Sequence, residues 1–402
     1  MPEFLPFKGT RYSKQIALED VIAPPYDVVD ENDRKELASR HVANAIHVEL
    51  PEAGGNFEEK DRYLHAAELL DAWVKENYLE VDEVPSFYGY KMTFKDEYGQ
   101  IQATFGFMGA LKVDEPGTGD ILPHEKTLPK AKTDRLDLIR ATKYNLSPIW
   151  GLSLTAGLSK AISLPNTPDM TAVDDENVTH ELWVIREPKD IKVISDLVAQ
   201  NPILIADGHH RYETAWNYRN EIRRENGNQD GGHDYVLAFI VELSPMELHV
   251  RAIHRLIKGA GANFDFQTAW SKYYSFEPFN GNYLELGKII ESHQCQALIT
   301  KNQAWLITPT QKLIDEADSQ LDSARLSYLL GLNPDFEVQY QHGLEKAVES
   351  LSQPDIDAVV ILNPVTIDQI QGSSEARFRM PPKSTFFTPK PRTGMVFRNL
   401  TA

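Results

Sequence analysis

The chain has 402 residues, of which 42% are hydrophobic and 25% charged, a composition typical of a globular protein with a full core. The 41 basic and 59 acidic residues give a formal net charge of −18, which argues against nucleic acid or an anionic membrane as a partner. We therefore expect any anion site to be a small local pocket for a phosphorylated small molecule.

The sequence also lacks the features of a membrane or disulfide-bonded protein. No apolar run approaches the ~18 residues that a membrane span needs, and residues 1–11 do not resemble a signal peptide. Cys295 is the only cysteine, so an internal disulfide is impossible and we expect Cys295 to lie in the core. These observations predict a cytoplasmic protein and leave its oligomeric state open.

In chain order, the first predicted element is a short strand within residues 16–29 that ends at Pro24 and Pro25, because neither proline can donate to a ladder. Asp30 is expected to cap the helix that follows. Hydrophobic periodicity then predicts further elements before residue 150: helices at 30–40 and 57–78, a hairpin at 87–94 and 101–113, a loop at 121–127 and a helix at about 133–142.

The remaining elements predict an α/β (α+β) fold. They are a strand after 145, a strand at 182–186, a helix at 189–200, a strand from 203 that leads into a helix ending near 224, and strands at 235–243 and 248–257. The pattern changes at about residue 262, after which helices at 265–275 and 283–293 and strands at 296–300, 304–308 and 358–362 are predicted. We expect a core of residues 1–261, a second α/β module at 262–370 and an extended, proline-rich C-terminal strap at 371–402 that packs on the core.

The stretch Asp207-Gly-His-His-Arg211 is the most informative one for function. It follows the apolar run 203–206 and precedes a segment with helical spacing, so it lies where a strand turns into a helix. Unpaired amides and the helix dipole favour an anion there, Gly208 allows close approach, and Arg211 offers a planar fork to a phosphate. His209 and His210 can add hydrogen bonds or charge.

The same stretch has a plainer interpretation. Asp207 is suited to hold Mg²⁺, orient a histidine or accept a proton, but aspartate is also a common helix cap. One histidine is then buried and Arg211 pairs with a carboxylate. A metal site of His209 and His210 is disfavoured because adjacent helical side chains diverge by roughly 100°. We leave metal ligands undetermined.

Several blocks of the chain together resemble the bacterial and archaeal family called domain of unknown function 1015. They are Asp207–Ala215, Ala23–Val29, His124–Thr127 with Lys132–Arg135, Asn145–Ile149, and Met380–Thr385 with Pro389-Lys390. The Asp-Gly-His-His-Arg core is also similar to the phosphate loop of free-serine kinases in the ParB/sulfiredoxin superfamily. The resemblance implies a ParB/sulfiredoxin-like nucleotide-binding core in which Gly208, His209, His210 and Arg211 bind the phosphates and Asp207 lies beside the transferred group.

Phosphoryl transfer also needs a group that activates the acceptor hydroxyl, and further cations. Asp27, after the rigid proline pair, is the first candidate because the corresponding loop of kinases in this superfamily carries an acid, and Glu125 is its rival. Lys132, Arg135 and Lys383 are candidate phosphate ligands. Each of these five residues has an alternative role in a turn, an ion pair or a solvated face.

His124, Asn145 and Ser147 are candidate substrate-binding residues, although turn roles fit them equally. Together these features predict a nucleotide-dependent phosphotransferase that uses ATP or ADP with Mg²⁺ and acts on a small hydroxyl compound, free serine being the leading candidate. The alternatives are a nucleotide-binding regulatory protein without turnover and a phosphohydrolase that uses the same loop, in which water is the acceptor.

Overall fold

The structure is a computed structural model that describes residues 1–52, 61–96, 99–123, 131–261, 264–375, 380–381 and 383–401, without the side chains of 131–133, 284 and 374–375. No helix among the described residues is long and apolar enough to cross a membrane. The predicted mixed α/β class is confirmed. The helices are α1 Glu31–Arg40, α2 Ile46–Glu49, α3 Asp61–Lys75, α4 Ala131–Thr142, α5 Pro188–Val198, α6 His209–Glu225, α7 Phe266–Trp270, α8 Leu286–His293, α9 Gln311–Ala317, α10 Asp322–Gly331, α11 Leu344–Glu349 and α12 Ile367–Glu375.

The strands, in chain order, are β1 Phe4–Leu5, β2 Gly9–Tyr12, β3 Leu79–Val81, β4 Phe87–Lys95, β5 Ile101–Lys112, β6 Ile121–Pro123, β7 Tyr144–Asn145, β8 Ile149–Ser153, β9 Met170–Val173, β10 Thr179–Ile185, β11 Ile203–Asp207, β12 Tyr235–Glu242, β13 Val250–Arg251, β14 Ile253–Lys258, β15 Tyr274–Pro278, β16 Gln296–Thr300, β17 Ala304–Pro309, β18 Glu337–His342, β19 Ala358–Ile361, β20 Phe386–Phe387 and β21 Phe397–Asn399.

Two compact units divide the chain, one of Met1–His249 with Pro389–Ala402 and the other of Val250–Thr388. The main sheet of the first unit runs β6-β11-β8-β12-β5-β4-β10-β9, and β1 also pairs with β5. A smaller sheet of this unit, β3-β2-β21-β7, joins the end of the chain to its beginning. The second unit has an antiparallel sheet in the order β15-β17-β16-β19-β14-β18.

Strand β11 lies inside the main sheet, parallel to β6 and antiparallel to β8. Ile203 and Ile205 are fully buried in its core, which also takes in Tyr212 and Ala215 from the face of α6. This packing fixes the point at which the chain leaves β11 and enters α6. The register with β8 shifts between Ile205 and Asp207, so the strand ends in an irregularity directly before the turn.

The domain boundaries differ from the expected ones at 261 and 370. Strand β14 pairs with β18 and β19 and so belongs to the second unit. This unit begins at Val250, about twelve residues before the change in sequence pattern. The last part of the chain returns to the first unit at Pro389. The reason is that β14 and β12 are both apolar strands, and a sequence pattern does not reveal which sheet each one joins.

Local predictions have mixed outcomes. The helix capped by Asp30 is confirmed, since the Asp30 side chain accepts from the amides of Asn32 and Asp33. The hairpin of β4 and β5 is confirmed as well. The strand expected within 16–29 is wrong, because short 3-10 turns occupy Leu18–Asp20 and Tyr26–Val28. The helix expected at 265–275 ends at Trp270, after which β15 begins.

Candidate active site

Gly208 makes the turn between β11 and α6 possible. Its φ of +87° lies in the left-handed region that only glycine adopts without strain. The carbonyl of Gly208 accepts from the Tyr212 amide at 2.9 Å, which closes the first turn of α6. In general the first amides of an α-helix point out of its N-terminal end, and the dipole of this 17-residue helix adds positive potential there.

Two cations hold the Asp207 carboxylate at this helix end. Lys390 Nζ lies 2.6 Å from Oδ1, and Arg211 Nη2 donates to Oδ2 at 2.6 Å. Burial alone would raise the pKa of Asp207, but the charges of Lys390 and Arg211 outweigh it and hold the pKa well below its usual range. Asp207 is therefore a charged anchor for two cations and a poor proton acceptor.

Lys390 also reaches Asp27. Its Nζ is 3.2 Å from Asp27 Oδ2, so one ammonium group joins a carboxylate of the N-terminal loop to the carboxylate that ends β11. Burial would lower the pKa of Lys390, but Asp207 and Asp27 together raise it, and the group stays charged. The Lys390 side chain is 12% exposed and that of Asp27 is 39% exposed, so solvent reaches the site from the Asp27 side.

Arg211 is oriented by its own contacts. Besides Asp207, its Nη1 donates to the Pro148 carbonyl, and the Arg211 pKa is raised because Asp207 outweighs the effect of burial. A Cβ added to Gly208 would lie 3.1 Å from Arg211 Nε and 3.1 Å from Ile149 Cα. The Gly208 turn, the Arg211 guanidinium and the backbone of β8 are thus packed against one another.

Arg211 also lines a small cavity of about 50 Å³. Glu49 and Thr214 line it, and Glu49 is 1% exposed. Within the described part of the chain, Glu49 Oε2, Thr214 Oγ1 and Arg211 Nε are buried and have no hydrogen-bond partner. Burial raises the pKa of Glu49, against the opposing effect of Arg135 and Arg211. The cavity therefore has buried polar atoms in a mixed lining and shares Arg211 with the residues that hold Asp207.

The structure brings some of the other sequence candidates close to this cavity. Ser147 Oγ donates to Glu49 Oε1 at 3.0 Å. Arg135 donates to the Glu49 carbonyl at 2.7 Å and its guanidinium stacks 4.4 Å from the centre of the Tyr26 ring. Asn145 lies nearby, but its Oδ1 already accepts from the Leu237 amide at 2.9 Å, which is a bracing contact within the fold.

The remaining candidates from the sequence lie away from this cavity or outside the residues that the structure describes. His124 and Glu125 are outside the described residues, as is the side chain of Lys132. His209 and His210 are half-buried in the first turn of α6, and the charge of His209 contributes to lowering the pKa of Asp207. Lys383 belongs to the second unit, where it is exposed and its carbonyl accepts from Arg255.

Sequence reasoning missed Lys390 and Glu49 as parts of the site. The signal for Lys390 is its position between Pro389 and Pro391, which fix the backbone on both sides of the lysine. Glu49 ends the short helix α2 and carries no pattern that distinguishes it from a surface acid. No cluster of three or more histidine, cysteine, aspartate or glutamate residues that could hold a metal ion occurs among the residues that the structure describes.

The family model described as "Protein of unknown function (DUF1015)" matches residues 4–324, and no curated protein matches the chain. The solved structures that are similar at low identity include the following three. A free serine kinase in complex with AMP is 13% identical with a TM-score of 0.39, over 70% of this chain and 88% of that one. A conserved hypothetical protein from Pyrococcus furiosus is 14% identical with a TM-score of 0.36, over 69% and 90%. SbnI with a C-terminal truncation, from Staphylococcus aureus, is 12% identical with a TM-score of 0.39, over 71% and 85%.

Proposed function

Since the chain belongs to the DUF1015 family of proteins of unknown function, whose description assigns no activity, we propose its function from the site itself: a nucleotide-dependent phosphotransferase that acts on a small hydroxyl compound, with free serine as the first acceptor to test. One observation carries this proposal. At the N-terminus of α6, the Lys390 ammonium lies between the carboxylates of Asp207 and Asp27, at 2.6 and 3.2 Å.

The phosphate half of the site supports an anionic ligand. The first turn of α6 presents its amides beside the turn at Gly208, and Lys390 and Arg211 add two fixed positive charges next to them. In a chain with a net charge of −18, an anion site has to come from a local arrangement of amides and cations of this kind. Gly208–Arg211 would bind the phosphates, and Lys390 would stabilise the charge that develops during transfer.

The acceptor half of the site rests on Asp27. Its carboxylate is on the solvent-exposed side of Lys390, whereas both oxygens of Asp207 already accept from cations. We therefore assign the orientation and deprotonation of the acceptor hydroxyl to Asp27 and the positioning of Lys390 and Arg211 to Asp207. The sequence led us to expect Asp207 beside the transferred group. In this assignment Asp207 instead holds Lys390 and Arg211, which contact the phosphates.

Magnesium fits the donor chemistry of this site. Mg²⁺ is usually held by one or two carboxylates together with phosphate oxygens and water. Asp27, which is 39% exposed, is the carboxylate of the site that would hold it, because both oxygens of Asp207 already accept from Lys390 and Arg211. When bound, the ion would neutralise charge on the nucleotide phosphates. The described residues offer no larger set of protein ligands, so its affinity is expected to depend on the nucleotide.

The experiment is to incubate the protein with ATP or ADP, Mg²⁺ and serine or another small hydroxyl compound, and to follow the products by ³¹P NMR. A phosphomonoester of the acceptor supports the proposal, and its loss in Asp27→Asn and Lys390→Ala supports the assigned roles. Lys112→Ala is the matched control, because Lys112 also pairs with a carboxylate, Glu3 at 2.8 Å, without being a residue of the site.

The other outcomes contradict the proposal in different ways. Release of inorganic phosphate without an acceptor product identifies a phosphohydrolase. Nucleotide binding in a thermal-shift assay without any turnover identifies a binding protein, since a ligand at about 100 times its Kd stabilises the folded state by about 2.7 kcal/mol. A protein that shows neither turnover nor a shift with any nucleotide has a different function.

A further inference from the structure

A closed ring of contacts holds the backbone next to Lys390. The Arg392 amide donates to the Tyr90 hydroxyl oxygen at 3.2 Å, and that hydroxyl lies 2.7 Å from His180 Nδ1. His180 Nε2 is 2.9 Å from Asp174 Oδ2, to which Arg392 Nε also donates at 2.7 Å. The ring therefore begins at the backbone of Arg392 and returns to its side chain.

The ring is buried and each contact in it has a donor and an acceptor. The side chains of Tyr90 and His180 are inaccessible to solvent, and those of Arg392 and Asp174 are 6% exposed. Burial lowers the pKa of His180 despite the favourable contact with Asp174, so the ring of His180 is neutral. Its Nε2–H then donates to Asp174 while its Nδ1 accepts from the Tyr90 hydroxyl.

The same backbone is tied to the loop that carries Asp27. Thr393 and Ala23 exchange two backbone hydrogen bonds, of 2.8 and 3.0 Å, directly after Arg392 and shortly before Asp27. Between Arg392 and Lys390 there is only Pro391, and Pro389 precedes Lys390, so the dihedral freedom of this stretch is small. A displacement of Arg392 therefore moves the backbone of Lys390, from which the ammonium reaches Asp207 and Asp27.

We propose that Tyr90, His180, Asp174 and Arg392 are positioning residues that set the place of the Lys390 ammonium between Asp207 and Asp27. The expected effect on turnover rests on the proposed function. The expected effect on the position of Lys390 rests on the contacts alone. The network reaches the main chain at the Arg392 amide, two residues from the lysine, and a shift there would change the position of the ammonium. The Tyr90 hydroxyl oxygen accepts a hydrogen bond from the Arg392 amide.

The chain offers a matched control on the same strand. Tyr88, like Tyr90, lies on β4 and is fully buried, and its hydroxyl donates to Asp82 at 2.7 Å. Asp82 in turn pairs with Arg11 at 2.6 Å. This second set of a tyrosine, an aspartate and an arginine has the same chemistry, but the contacts that define it do not include the segment 389–393.

The test compares Tyr90→Phe and Asp174→Asn with Tyr88→Phe and Asp82→Asn. The first readout is the rate at which an amine-acetylating ester modifies Lys390 in the folded protein, measured by peptide mass spectrometry. We expect Tyr90→Phe and Asp174→Asn to raise this rate by about fivefold, because a local opening made easier by ~1 kcal/mol gives that ratio. The two control variants should leave it at the wild-type value.

The second readout is turnover of the phosphotransferase reaction. Tyr90→Phe and Asp174→Asn should lower kcat by about 10- to 100-fold with little change in the nucleotide KM, since a misplaced catalytic group affects the reaction more than the binding. Arg392→Lys, which keeps the charge, should retain more kcat than Arg392→Gln. The proposal is overturned if Lys390 modification is unchanged in both ring variants, or if the control variants raise it equally. Because labelling needs no turnover, this result is independent of whether the protein is a phosphotransferase.

Discussion

Replacing Gly208 with alanine tests the packing of the turn on which the site is built. Gly208 has a φ of +87°, and an added Cβ would lie 3.1 Å from Ile149 Cα and 3.1 Å from Arg211 Nε. The left-handed conformation costs a non-glycine residue about 1–2 kcal/mol, and the contact with the Ile149 backbone cannot be relieved by a side-chain rotation. We expect a total loss of about 2–3 kcal/mol in the free energy of unfolding.

Gly157→Ala separates the two causes of this loss. Gly157 has the same φ of +87°, but nothing lies within 4 Å of an added Cβ. It should therefore lose only the conformational part, about 1–2 kcal/mol. Urea unfolding followed by circular dichroism gives both values, and titration with Mg²⁺ and nucleotide in a calorimeter gives the affinities. Gly208→Ala should lose nucleotide binding while Gly157→Ala keeps it. Equal stability losses together with equal affinities would refute the account of the turn.

Three further predictions concern buried ionisable groups, and urea unfolding checks each. Glu49→Ala should destabilise the protein by about 3 kcal/mol because it removes the carboxylate beside buried Arg135, whereas Glu49→Gln should lose less than half as much; equal losses would contradict this. Burial lowers the pKa of His254 to about 4, from 6.5, so the unfolded chain binds more protons between these values. Stability should fall as the pH drops through this range, and His254→Gln should reduce this slope, leaving the part due to His47 and His180, whose pKa values burial also lowers. Asp234→Asn should destabilise α6 by about 1–3 kcal/mol, because Arg219 and Arg223 both donate to Asp234 Oδ1. The rate of amide hydrogen exchange should then rise more in α6 than in α3.

The turn at Gly208 could be predicted from the sequence because two local patterns meet there. The apolar run 203–206 predicts a buried strand, and the spacing of Tyr212 and Ala215 predicts a helix face, so the residues between them must form the connection. Arg211 pairs with a carboxylate, that of Asp207, as the plainer interpretation expects. It also remains at the helix N-terminus. Which of its donors a ligand would use depends on packing against Ile149, and no periodicity contains that information.

The contacts of Lys390 could not be predicted in the same way. Asp207 is 183 residues away along the chain and Asp27 is 363 away, and a single sequence gives no indication of such pairings. The lysine chosen from the proline-rich tail, Lys383, lies in the second unit, and helix α12 occupies the start of the stretch expected to be extended. Glu49 was missed for a related reason, because its burial is produced by Arg135 and Ser147 from distant segments.

Calorimetric titration of the wild-type protein, Lys390→Ala and Lys112→Ala with ATP or ADP in the presence of Mg²⁺ tests the central claim most directly. If the ammonium held by Asp207 belongs to a phosphate site, Lys390→Ala should weaken binding of the nucleotide by about tenfold or more, as expected for the loss of a charge-assisted contact of about 1.5–3 kcal/mol, and Lys112→Ala should bind as the wild type does. Nucleotide affinity that is the same in all three proteins would show that Lys390 only completes an internal ion pair.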